Sequence, residues 1–242
     1  MSNHARNSGF RFRPPVVIAL ALSGFVGLAL SATGPGSQDD VNHYIGAAKC
    51  KNCHNSEASG DQYGVWEKAK HSSAWKLLAT DAAKEAGAKL GVAEPQKSEH
   101  CLKCHVTGYG QPAEMFKKGF EPELGVQCET CHGPGEKHMR ARFRAAMMEA
   151  EPAEGETPAF VKVPEGEIDA HPDRKVCYGC HNSESPSFKA FCFYERVNKI
   201  RHLDPRRPRT AEERAALLVC GCGDTCACVH ECAEGCGVPP KE

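Results

Sequence analysis

Four times in 242 residues the chain spells Cys-x-x-Cys-His, beginning at Cys50, Cys101, Cys128 and Cys177. At this content of cysteine and histidine, chance would supply about 0.05 such units. The unit has a specific chemistry. Two thiols separated by two residues add to the two vinyl groups of one haem, and the histidine that follows binds its iron from below. Paired Cys-x-x-Cys units also hold zinc, but a zinc site needs four ligands. Two pairs sharing one zinc would leave the histidine after every pair without a role. The expectation is therefore four c-type haems. Their covalent partners are Cys50, Cys53, Cys101, Cys104, Cys128, Cys131, Cys177 and Cys180, and their proximal iron ligands are His54, His105, His132 and His181.

Four haems account for a thin apolar complement, 40% of residues with only 7% aromatic. From Gly34 to Asp204 there are roughly 170 residues, about 43 for each haem, below the size at which a chain builds its own core. The porphyrins must then be the core, and redox centres so crowded exchange electrons. Unequal gaps of 51, 27 and 49 residues between units argue against a simple solenoid. Val65 to Gly91 reads as two short helices, with His71, Ala74, Trp75 and Leu78 on one face. Met139 to Ala150 has helical composition. Glu149 to Asp169 carries seven acids and three prolines and reads as an exposed acidic loop. Arg196 to Arg209 is basic, Pro205 and Pro208 end any helix there, and Thr210 to Glu213 starts a short one. No stretch alternates long enough for a large sheet. The fold class expected is mainly α with long loops, a multihaem cytochrome c fold organised around four covalent haems.

Residues 1–31 hold Arg6, Arg11 and Arg13, no acid, and a 15-residue apolar run from Val16 to Leu30 followed by small residues. That is the layout of a cleaved export signal, and the run falls short of the ~20 residues of a spanning helix. Losing three arginines takes the formal charge from −1 to −4. A charge near zero gives no general reason to bind nucleic acid. The domain reading is a signal peptide at 1–31, a leader at 32–43, a tetrahaem domain at 44–204, and a linker with a cysteine-rich tail at 205–242. The expected location is periplasmic or otherwise exported, without stable membrane insertion after cleavage.

A sixth iron ligand is needed wherever a haem is closed to small molecules. Methionine would raise the potential relative to a second histidine, but Met115, Met139, Met147 and Met148 fall in no readable motif. Histidines remain at His43, His71, His100, His138, His171, His202 and His230. His71 has apolar neighbours at helical spacing. His138 follows the turn Gly133-Pro134-Gly135 and is free to cap a neighbouring haem. His202 lies in a basic segment suited to propionates, and His100, abutting Cys101, is expected to stay unligated.

These residues resemble the cytochrome c-554 family of exported tetrahaem cytochromes. The resemblance rests on Tyr44-Ile45-Gly46, Trp66 with Lys70-His71, Cys104 to Gly110, Gly125 to Gly135 with His138, and Ser185 to His202. It implies a mainly helical fold in which histidines distant in sequence cap neighbouring haems. Carried over, His71 caps the haem on His132, His138 the haem on His181, and His202 the haem on His54. The haem on His105 is five-coordinate in this family type.

Nothing in the resemblance covers Cys220, Cys222, Cys226, Cys228, Cys232 and Cys236. Thiols one residue apart resist bridging each other and suit copper(I) or zinc; a disulfide-bonded appendage is the other reading. Cys192 reads as a packed free thiol. Three functions follow, in order: electron transfer between periplasmic or membrane-bound redox proteins, catalysis on a small nitrogen or oxygen species at an open second haem, and metal binding by the tail. No acid–base group declares itself as catalytic.

Overall fold

Cysteines at i and i+3 with a histidine at i+4 share one side of a helical turn, so each attachment unit should coil. In the computed structural model, which describes residues 41–148, 156, 159–189, 191 and 193–216, every unit does. The first lies on α1 (Ala47–His54), the second on α5 (Glu99–His105) and the third on α6 (Cys128–His132). The fourth starts on α8 (Arg174–Tyr178) and continues as a turn in which the His181 amide bonds the Cys177 carbonyl at 2.9 Å. Between them run α2 (Gln62–Lys68), α3 (Ala74–Leu77), α4 (Asp81–Ala88) and α7 (Glu136–Met148); α9 (Phe193–Val197) and α10 (Ala211–Ala216) follow. Among the described residues there is no strand, only one isolated parallel bridge between Tyr44 and Phe116. None of the described helices is long and apolar enough to cross a membrane. Residues 1–31, expected to be an export signal, the first part of the leader, Cys192 and the cysteine tail lie outside the described residues.

Segment 65–91 differs from its reading as two helices. Ala69 takes an extended conformation (φ −79°, ψ 156°) and stops α2, a 3-10 turn spans Lys70–Ser73, and α3 and α4 complete the segment. Tertiary bonds explain the break. Trp66 Nε1 donates to the Val126 carbonyl at 2.8 Å, and the Val126 amide donates to the His71 carbonyl at 3.1 Å. A continuous helix would keep the His71 carbonyl for the amide four residues on. At the other end, α10 begins where Thr210 and Glu213 cap each other reciprocally, at 2.8 and 3.1 Å.

Few apolar side chains are buried: among the described residues only Ile45, Ala47, Trp66, Ala74 and Leu78. What closes around them is polar. Thr107, Gln127 and Glu129 are 1–3% exposed. The Gln127 side chain accepts the Ala47 amide at 2.8 Å and donates to the Glu121 carbonyl at 2.9 Å. The Thr107 hydroxyl accepts the Gln127 amide at 2.7 Å and donates to the Gly125 carbonyl at 3.0 Å. Glu129 accepts from the amides of Ile45, Gly46 and Gly135 at 2.7–3.1 Å. These bonds fasten the approach to α1, the exit from α5 and the start of α6 to one another. Three attachment units are thereby fixed by backbone-directed hydrogen bonds.

Candidate metal centres

Three pairs of imidazoles face each other across gaps too wide for ring contact. The ring centres of His54 and His138 are 6.1 Å apart, those of His71 and His181 6.1 Å, and those of His132 and His202 5.9 Å. Metal–imidazole bonds of about 2 Å on either side of one iron, plus about 1 Å from each nitrogen to its ring centre, give about 6 Å. Each pair joins one histidine of an attachment unit to one histidine remote from it. The spacing fits a haem iron between the members of each pair.

Orientation of the rings fits as well. A ligating histidine usually donates its second ring N–H to a carbonyl or carboxylate, which leaves the other nitrogen bare for the metal. Nδ1 of His132 bonds the Asp169 carbonyl at 2.6 Å, and Nδ1 of His202 bonds the Ile200 carbonyl at 2.8 Å. Nδ1 of His138 bonds the Glu167 carboxylate at 2.8 Å, and Nδ1 of His105 bonds the Ala74 carbonyl at 2.7 Å. In each case Nε2 is the atom left for iron. Burial lowers the pKa of His54, His71, His132 and His181, which favours the neutral, ligating imidazole. His181 is further steadied by Phe191, stacked on it at 4.3 Å.

The partners are not those the resemblance implied. His138 stands opposite His54 rather than His181, His202 opposite His132 rather than His54, and His71 opposite His181 rather than His132. The entry to α7 explains the first exchange. The Glu136 amide bonds the His43 carbonyl at 3.2 Å, the Lys137 amide bonds Asn42 Oδ1 at 2.9 Å, and Asn42 bonds the Pro134 carbonyl. The helix that carries His138 is thus tied to the chain just ahead of α1. Among the described residues no ring stands opposite His105, and His100 is exposed. His43 is occupied by Glu136, which also pairs with Lys117 at 3.0 Å, and His171 is bonded to Arg207 at 3.1 Å.

The thiols meet across units as well. Cys50 hydrogen-bonds Cys128, raising its own pKa and lowering that of Cys128. Cys180 hydrogen-bonds Cys104 and brings it down to about 7. Burial, followed by the neighbouring Cys177, pushes Cys131 up to about 11. The attachment points thus run second–fourth–third–first in space. No group of three or more histidine, cysteine, aspartate or glutamate side chains among the described residues could hold a metal ion.

One residue of this site escaped the sequence reading. Glu167 belongs to the run taken as an exposed acidic loop, yet its side chain is 10% exposed and holds both His138 and Arg142, the latter at 2.8 Å. Nothing in a run of acids marks which one turns inward.

Residues 49–133 match the family model described as Cytochrome c554 and c-prime. That stretch contains the first three attachment units; the fourth lies beyond it. The chain is similar to the curated protein Cytochrome c-554 of Nitrosomonas europaea, 32% identical over 152 residues, a match covering 60% of this chain and 61% of the relative. No solved structure gives a significant match.

Proposed function

We propose that the chain is a member of the cytochrome c-554 family, which its residues 49–133 and its 32% identical relative support, and that it is an exported tetrahaem c-type cytochrome passing electrons between redox proteins. Haem iron supplies the chemistry, holding or releasing one electron as it moves between ferrous and ferric states. The chain supplies attachment, ligands and spacing. The observation that carries the reading is the set of three histidine pairs at 5.9–6.1 Å, each joining an attachment unit to a remote residue. The continuous series of attachment thiols supports it, because centres bonded there would be neighbours. Export is supported by the arginine-led apolar segment at 1–31.

The test is a haem count by acid–acetone extraction joined to spin-state spectroscopy. Four covalent haems, three low-spin and one high-spin, are expected in protein from a host with haem-attachment machinery. Two or fewer haems, with zinc present, would sink the proposal.

A second reading has its own observation. His105 is held by the Ala74 carbonyl and, among the described residues, faces no partner ring. A haem there would be open to a small nitrogen or oxygen species. An open iron is necessary for catalysis and not sufficient, so turnover of nitric oxide, hydroxylamine or peroxide decides between carrier and enzyme.

A further inference from the structure

Residues 167–169 serve two of the histidine pairs from one short stretch. The Asp169 carbonyl takes Nδ1 of His132 at 2.6 Å, and the Asp169 amide bonds the His132 carbonyl at 3.1 Å. Two residues earlier, Oε1 of Glu167 takes Nδ1 of His138 at 2.8 Å. The Glu167 amide bonds the Pro164 carbonyl at 3.2 Å and holds the stretch from its other side. The two partners differ in charge. His105, His132 and His202 each give Nδ1 to a backbone carbonyl, whereas His138 gives it to a carboxylate. Arg142 offsets only part of that charge. Its Nη2 reaches Oε2 of Glu167 at 2.8 Å, while its Nε is buried without a partner among the described residues. The guanidinium therefore does not grip the carboxylate side-on with both nitrogens.

We propose that Glu167 is a positioning residue that acts through His138 to lower the reduction potential of the centre at His54 and His138, biasing electrons toward the neighbouring centre at His132 and His202. The proposal rests on the tetrahaem reading above. A carboxylate that accepts the second N–H of a ligating imidazole raises the basicity of the nitrogen on the metal. A more basic ligand with a negative charge behind it favours ferric over ferrous iron. Solvent screens that charge weakly, because the Glu167 side chain is 10% exposed. A carbonyl supplies the same orientation without the charge, so one segment treats two centres unequally. The two are neighbours, since the Cys50 and Cys128 thiols of their attachment units hydrogen-bond each other. The step concerned is one electron entering ferric iron to give ferrous iron; no bond is made or broken and no proton moves.

The test is a redox titration of the holoprotein at one fixed pH, followed by electron paramagnetic resonance. The first centre is the low-spin signal lost in His138→Ala, and its neighbour is the one lost in His202→Ala. Glu167→Gln keeps the length of the side chain and an oxygen to accept from Nδ1, and removes the charge. It should favour reduction of the first centre by about tenfold, about 59 mV for one electron, with four haems and all three low-spin signals retained. The neighbouring centre should move much less. Glu165→Gln removes an equal charge from an exposed position of the same segment. It should leave both potentials nearly in place, because solvent and salt screen that position.

An unchanged potential in Glu167→Gln overturns the proposal and leaves the side chain as an anchor for His138. An equal shift in Glu165→Gln, or equal shifts at both centres, overturns it as well, since net charge alone would then account for the effect. Conversion of the first centre to high spin in Glu167→Gln also overturns it, because the carboxylate would then be needed to keep His138 on the iron. If the unaltered holoprotein has no low-spin signal that His138→Ala removes, the reading of His54 and His138 as one centre fails, and the proposal with it. Retention of that signal with an unmoved potential overturns the role of Glu167 alone.

Discussion

Glu129 shows how a single side chain inside an attachment unit is given a second task. It is one of the two spacer residues between Cys128 and Cys131, a place where the haem chemistry asks only for length. The fold uses it to satisfy three amides, those of Ile45, Gly46 and Gly135. Removing the carboxylate in Glu129→Ala leaves three buried donors without partners, at about 1–3 kcal/mol each. A loss of about 3 kcal/mol or more in chemical denaturation of the holoprotein is expected. Burial raises the carboxyl above its ordinary value, against the opposing pull of those amides. A raised folded value means that the group contributes its full stability below the ordinary carboxylate range and loses it as pH rises through the folded value. That part of the pH dependence of stability should vanish in Glu129→Gln. If the two stability curves run parallel from pH 4 to 7, the carboxyl is not titrating with folding. The sequence exposed nothing of this, because spacer residues of the unit carry no pattern of their own.

Among the elements, the attachment turns were legible because both thiols and the histidine sit within five residues, where local helical geometry fixes their relation. His71, His138 and His202 are candidate ligands from supply and neighbours, whereas which ring each comes to face depends on which segment each helix is bonded to. His138 faces His54 because Asn42 and His43 tether the entry of α7, and no spacing in the sequence encodes that tether. The pairing makes a spectroscopic prediction. The planes of His54 and His138 are 29° apart, while the other two pairs stand at 60° and 61°. More nearly parallel imidazoles give a rhombic low-spin resonance, and steeply crossed ones a signal of large maximal g. His138→Ala should therefore remove the more rhombic low-spin signal and add a high-spin one; loss of a crossed signal would return His138 to another haem. Gly125 tests the position of His71 in the same way. Its φ is +75°, and a Cβ there would lie 2.8 Å from the His71 carbonyl oxygen and 3.1 Å from the Ala74 nitrogen. Strain and overlap act together, and both contacts are backbone atoms that cannot rotate aside. Gly125→Ala should displace His71 and convert the haem on His181 toward high spin, with the haem count unchanged.

At the scale of the molecule, the polar network around Thr107, Gln127 and Glu129 is closed, while among the described residues few apolar side chains are buried. The mainly helical class was legible from the lack of alternating runs and from the attachment units, but the hydrogen-bonded frame of Thr107, Gln127 and Glu129 was not, since polar side chains give no burial signal until their partners are known. Beyond that frame, the tail from Cys220 to Cys236 makes a separate prediction. If it binds metal, the purified apo-tail thiols should take up copper(I) or zinc with release of protons, because ligating thiols deprotonate; three disulfides without uptake would assign it as a structural appendage. The largest prediction concerns the frame itself. Five buried apolar residues among those described cannot offset the ordering of this many residues at about 1–2 kcal/mol each for the backbone alone. If the proposed porphyrins supply the missing apolar surface, folding and haem attachment should be one event. Chain made without attachment machinery should show weak helical circular dichroism and no cooperative thermal transition. Cys128→Ser with Cys131→Ser should go further than losing one haem. The third unit, on α6, is joined to α1 through Glu129 and meets the first unit at the Cys50 thiol. A haem there would lie inside the series of attachment points, and on the tetrahaem reading the remaining three haems should become accessible to solvent and lose cooperative unfolding. A variant with three haems and a wild-type melting curve would show that the protein part holds its own core, and the reading of the porphyrins as that core would fall.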